Sequence, residues 1–142
     1  PQESADVSID LPLGAYFPRQ YMGDMRTKID LYRRLARIVS EEELEDLRVE
    51  LADRFGPIPA AVEQLMELAR LRIWAHSWKI DSIHVEGPYV VLGYSDRQKL
   101  ETLVGRDGGR LRVADDRSAY LPMGKGVSDI QVVLDELKSL LR

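Results

Sequence analysis

The chain is predicted to be α+β: an N-terminal helical hairpin region packed with a small antiparallel sheet and C-terminal helices. Three observations carry this. Apolar residues recur at spacings of three and four through most of the first eighty positions. They alternate every second residue in short runs after Trp78. The breaks between runs hold Gly, Pro and Asp, the residues of turns and caps.

Val7, Ile9 and Leu11 alternate with Ser8 and Asp10, the pattern of a short strand, and Pro12 confines it to an edge or an end. Pro18 holds Phe17 out of the helical region, so the residues around it are read as extended. Asp24 is placed as the cap of a first helix with Met25, Ile29, Tyr32, Leu35, Ala36 and Val39 on its buried side. Ser40 stands three residues before Glu43, a capping box that starts a second helix at about residue 41. Leu44, Leu47, Leu51 and Phe55 form its apolar stripe, Gly56 suits a positive φ just past the end, and Pro57 stops the ladder. Pro59 fits the first turn of a third helix running to about Trp78. That helix is apolar on more than one side and is therefore central, forming a hairpin with the second.

Ile83 to Val85 and Tyr89 to Tyr94 flank Glu86-Gly87-Pro88, which reads as a β-hairpin. Ser95 and Gln98 form another capping box for a short helix with Leu100, Leu103 and Val104, ended by Arg106-Asp107-Gly108-Gly109. Two short strands are expected near 111–113 and 119–121, with Asp115-Asp116-Arg117-Ser118 as their turn. Ser128 is taken to cap a last helix carrying Ile130, Val133, Leu134, Leu137 and Leu141.

At 142 residues, 44% hydrophobic and 31% charged, the chain is long enough to form one domain. It begins at Pro1 and runs directly into folded-looking sequence, so residues 1–142 are expected to be a single domain excised from a larger protein. A net charge of −4 argues against a broad grip on a nucleic-acid backbone, which needs surplus Lys and Arg. There is no Cys, hence no disulfide, thiolate nucleophile or Cys-type zinc site. No apolar run reaches the 18 or so residues of a membrane span, and no signal segment opens the chain, so a soluble cytoplasmic protein is expected.

The usual signatures of catalysis are missing. Gly124-Lys125-Gly126 fails as a phosphate loop, because Ala119 and Gly126 occupy the positions that require Gly and Ser or Thr. His76 and His84 lie in different elements without metal-ligand spacing. No Ser sits in a G-x-S-x-G elbow. Helix-turn-helix binding to DNA is opposed by Glu63 and Glu67 on the polar face of the would-be recognition helix. A non-enzymatic module is expected, with no catalytic residue, metal site or cofactor.

What the chain does show is two charged helix faces. Glu43, Asp46, Glu50 and Asp53 fall at i, i+3, i+7 and i+10 of the second helix, away from its leucines. They form an acidic stripe, either a solvated surface with Arg48 and Arg54 as local counter-charges or a docking face for a basic partner. Arg26, Arg33 and Arg37, with Arg34 beside them, form a basic face on the first helix. Those arginines either pair with the acidic helix, face water, or meet an anionic partner.

Three blocks of the sequence resemble a known family. They are Tyr21-Met22 through Arg26, Leu31-Tyr32-Arg33-Arg34-Leu35-Ala36, and Glu43-Leu44 through Glu50-Leu51-Ala52-Asp53-Arg54-Phe55-Gly56-Pro57-Ile58-Pro59, followed by Leu68-Ala69-Arg70-Leu71-Arg72. Together they are similar to the C-terminal domain of the bacterial transcription-repair coupling factors (Mfd), with the E-L-x-D-R-F-G-x-x-P core the most specific part. The family has Leu-Gly-Ile at the end of the long helix, where this chain has Trp78-Lys79-Ile80, so a left-handed position falls on Lys79.

The resemblance implies that the full-length protein is an ATP-driven DNA translocase that displaces stalled RNA polymerase and recruits UvrA through a UvrB-like module. The motor motifs are outside these residues. It implies that this domain is regulatory, docking on the UvrB-like module of the same protein and masking the UvrA-binding surface until the motor engages. It implies that Glu50 and Asp53 make the contact, with Asp46 and Glu43 extending the same stripe. The alternative is that Arg26, Arg33, Arg34 and Arg37 contact DNA or RNA polymerase.

Overall fold

A computed structural model describes residues 6–142. The elements in chain order are β1 (Ser8–Asp10), α1 (Met25–Arg37), α2 (Glu41–Phe55), α3 (Ala60–Ser77), β2 (Ile80–Glu86), β3 (Tyr89–Tyr94), α4 (Arg97–Arg106), β4 (Arg112–Val113), β5 (Ser118–Pro122), a 3-10 turn (Gly124–Ser128) and α5 (Ile130–Leu141). The α+β class is as expected. The chain divides into two compact units, one described over Leu13–Ile73 and the other comprising Asp6–Pro12 with Trp74–Arg142.

In the first unit, α2 starts as its sequence requires. The Ser40 hydroxyl accepts from the Glu43 amide and reaches the Glu43 carboxylate, each at 3.2 Å. Leu44, Leu47 and Leu51 are buried, and Gly56 ends the helix at φ 91 with its amide donating to the Ala52 carbonyl at 3.0 Å. That φ is open to glycine and strained for other residues. The Tyr21 hydroxyl lies 3.1 and 3.2 Å from the Leu51 and Gly56 carbonyls, so it pins the turn from outside. Phe17, Met22, Leu31, Leu35, Ile38, the three leucines, Val62, Leu65, Met66 and Ala69 form one apolar cluster.

α1 presents a different face to that cluster from the one expected. Leu35 is buried as expected, but with Leu31 and Ile38, whereas Met25, Ile29, Tyr32 and Ala36 stay exposed. Two apolar rows run along this helix about 100° apart, and only one can face the core. The row of Leu31, Leu35 and Ile38 does. The Asp24 side chain occupies the cap position without bonding a backbone amide; it accepts instead from the Thr27 hydroxyl at 2.6 Å. At the other end of α1, the Arg72 guanidinium donates to the Leu35 carbonyl at 2.6 Å, a cation placed where the helix dipole favours one.

The second unit holds a five-stranded sheet in the order β1-β2-β3-β5-β4. β2, β3, β5 and β4 pair antiparallel, as expected, and β1 adds in parallel to β2 with Ile9 opposite Ile83. Ile80, Ile83, Val90, Leu92, Ala119 and Leu121 are buried, as are Leu100 and Leu103 of α4 and Val133, Leu134 and Leu137 of α5. Both later helices are capped one residue beyond the expected position. Asp96 accepts from the Lys99 amide at 3.0 Å, while the Ser95 hydroxyl turns to the Lys79 carbonyl. Asp129 accepts from the Gln131 amide at 3.1 Å, while the Ser128 hydroxyl bonds Lys125. In each case Ser directly precedes Asp and both are good caps, so composition does not choose between them.

Candidate functional site

The outward surface of α2 follows from the depth of its leucines. With Leu44, Leu47 and Leu51 buried, the opposite side carries Glu42, Glu45, Asp46, Val49, Ala52 and Asp53, all exposed. Val49 is 61% exposed and stands three residues after Asp46 and four before Asp53, so the two carboxylates flank a bare isopropyl group. The side chains of Asp46 and Asp53 make no ion pair or hydrogen bond among the described residues.

Glu50 differs from them. Arg34 Nη1 reaches both of its carboxylate oxygens, at 2.8 and 2.7 Å, and Arg54 Nη1 lies at 3.3 Å from one. These bonds, Arg34 first, hold the Glu50 carboxyl below the usual glutamate range. Glu43 is exposed and committed to the helix cap. Arg48, the other expected counter-charge of the stripe, turns away to α3 and pairs with Glu63, its Nη2 at 2.9 Å from Oε2, and keeps a 3.5 Å contact with Glu45.

The basic face is divided in the same way. Arg34 is tied to Glu50, while Arg26, Arg33 and Arg37 are exposed with no side-chain partner among the described residues. The two faces, separate in sequence, meet in one cleft lined by Arg33, Arg34 and Arg37 from α1 and by Glu43 and Asp46 from α2. Asp53 and Arg26 are not part of its lining. The cleft offers both signs of charge side by side. It suits recognition of a charged protein surface, where bidentate carboxylate–guanidinium pairs give orientation as well as energy.

Val49 lies outside the charged stripe expected from the sequence. Its local signal is an apolar residue off the leucine stripe and between two acidic positions of that face, which a pattern of charges does not contain. Among the described residues, no group of three or more His, Asp or Glu is placed to hold a metal ion. No helix among the described residues is long and apolar enough to cross a membrane.

Comparison with known proteins covers the helices that carry this surface. The TRCF domain model matches residues 11–103, which include α1, α2 and α3. The transcription-repair-coupling factor of Bacillus subtilis (strain 168) is 31% identical over 154 aligned residues, covering 91% of this chain and 13% of that protein. The one from Myxococcus xanthus is 29% identical over 147 residues, covering 100% of this chain and 12% of the relative. The Haemophilus influenzae protein reaches 39% over 72 residues, 51% of this chain and 6% of its own length. The chain thus spans about an eighth of the length of the first two curated relatives. A solved structure, described as the crystal structure of the C-terminal domain of transcription-repair coupling factor, superposes with a TM-score of 0.78 at 18% identity, covering 97% of this chain and 91% of that one. The fold is therefore shared with that domain. With the family model matched over well more than half of its length, this chain belongs to the TRCF domain family.

Proposed function

We propose that the chain is the C-terminal regulatory domain of a transcription-repair coupling factor, a non-catalytic module of a longer protein acting in transcription-coupled excision repair. In this reading, α2 docks on the UvrB-like module of the same protein and masks its UvrA-binding surface. One observation carries it: Asp46 and Asp53 are unpaired and flank the exposed Val49 on a rigid helix. An apolar anchor ringed by free carboxylates fits a basic surface with a shallow apolar pocket. A coupling of about 2–5 kcal/mol would hide the recruiting surface most of the time and still permit release.

The geometry also ranks the acidic positions. Glu50 already shares its carboxylate with Arg34 and Arg54, so a partner arginine meets a competitor there and meets none at Asp53. Calorimetric titration of this chain into the separately expressed UvrB-like module tests both points. Wild type is expected to bind. Asp53→Arg and Val49→Asp are each expected to weaken binding at least tenfold without changing thermal unfolding, and Glu50→Gln to weaken it less. Equal binding by the Asp53→Arg and Val49→Asp proteins would return this face to solvent. Failure of wild type to bind, both free and when fused to the module by a flexible linker, would place the partner elsewhere.

A further inference from the structure

A second unpartnered surface lies on α1 and does not depend on the acidic face of α2. Met25, Ile29 and Tyr32 are 63%, 42% and 37% exposed, at i, i+4 and i+7, and Ala36 continues the row one turn on. Arg26, Arg33 and Arg37 each stand one position further along, in a parallel row that also contains Asp30. None of the three arginines has a side-chain partner among the described residues. Tyr32 is held in place: its hydroxyl accepts from the Phe17 amide at 3.0 Å, and its ring meets that of Phe17 edge-on at 4.8 Å. An exposed ring that is already fixed loses little freedom on binding.

We infer that α1 is a docking strip for an amphipathic α-helix of a partner protein, apolar along one edge and acidic along the other. The apolar row keeps helical spacing over about 16 Å, three turns, which matches the ridge of another helix laid along it. The free arginines ask for carboxylates beside that ridge, and Met, Tyr and Arg are the residue types enriched where proteins meet. A nucleic-acid backbone would use the arginines but would leave Met25 and Ile29 bare. It would also meet the carboxylates of α2 across the cleft and the net charge of −4. The strip is short, and burial of less than about 1,000 Å² places it among weak, transient contacts.

Selection of a displayed library of three-turn helices against the full chain, with clones then measured as free peptides, tests this. The expected winners carry apolar residues at i, i+4 and i+7 with Asp or Glu one position away. Their binding is expected to fall at least tenfold in Ile29→Asp and in Arg33→Glu, and to be unchanged in Val49→Asp. Met25→Asp, at the most exposed position of the row, provides the same reading if Ile29→Asp disturbs the fold. The inference is overturned if nothing is enriched, if the winners lack an acidic edge, or if they bind the α1 variants as well as wild type. It is also overturned if a 20-base-pair duplex binds and is lost in Arg33→Glu but not in Ile29→Asp, since the strip would then be a nucleic-acid face.

Discussion

Lys79 ends α3 at φ 58, the one positive φ at a residue other than glycine among the described residues. Its amide closes the helix on the His76 carbonyl at 3.0 Å and its carbonyl accepts from Ser95, so the neighbouring hydrogen bonds hold the conformation against the clash of its Cβ. The sequence expectation that a left-handed position falls on Lys79 is met in the backbone, with no glycine there. Lys79→Gly is therefore expected to stabilise the chain by up to about 1 kcal/mol, relief of the left-handed strain less the added freedom of glycine in the unfolded chain. Urea unfolding checks it, and Lys79→Ala serves as the control that should gain nothing. The caps of α4 and α5 were harder to read at this scale. Ser95-Asp96 and Ser128-Asp129 are each two capping residues in a row, and which one bonds is decided by where the preceding chain delivers them.

At the scale of elements, α2 was readable almost residue by residue because its signals agree: capping box, leucine stripe, Gly56 and Pro57 all give the same helix. α1 was not, because two apolar rows compete on it and the choice between them is made by packing, which no local pattern contains. The parallel pairing of β1 with β2 was equally out of reach, since Ile9 and Ile83 are far apart in sequence. The link between α1 and α2 yields a pH prediction. Arg34 lowers the folded-state pKa of Glu50. Its contribution to stability is thus fully present above the unfolded glutamate value of about 4.3 and lost as pH falls through the depressed folded value. The Glu50 side chain is 34% exposed and that of Arg34 45%, so screening keeps the contribution below about 1 kcal/mol. Urea midpoints of wild type and Glu50→Gln should differ by a constant gap above the unfolded glutamate value and converge as pH falls through the depressed folded one. A gap that persists in acid would mean that the substitution acts through packing rather than charge.

For the whole molecule, the two units each own an apolar core. The first gathers Phe17, Met22 and the buried residues of α1, α2 and α3 into one cluster ending at Ala69. The second buries its sheet residues with Leu100, Leu103, Val133, Leu134 and Leu137. Stability need not be uniform across such a chain, since each core can open at its own free energy. Leu47, fully buried at the centre of the α2 stripe, is the position to test this. Leu47→Ala is expected to cost about 2–5 kcal/mol from lost burial and the cavity left behind. In native-state hydrogen exchange, that loss should appear in the amides of Leu51 and Met66. The amides of Val90 and Leu92, which belong to the other core, should keep their wild-type protection. Leu103→Ala should reverse the pattern. If both substitutions instead lower protection equally throughout, the chain opens as one cooperative body. A partner helix on α1 or a docking module on α2 would then stabilise the sheet as much as the helices that it touches.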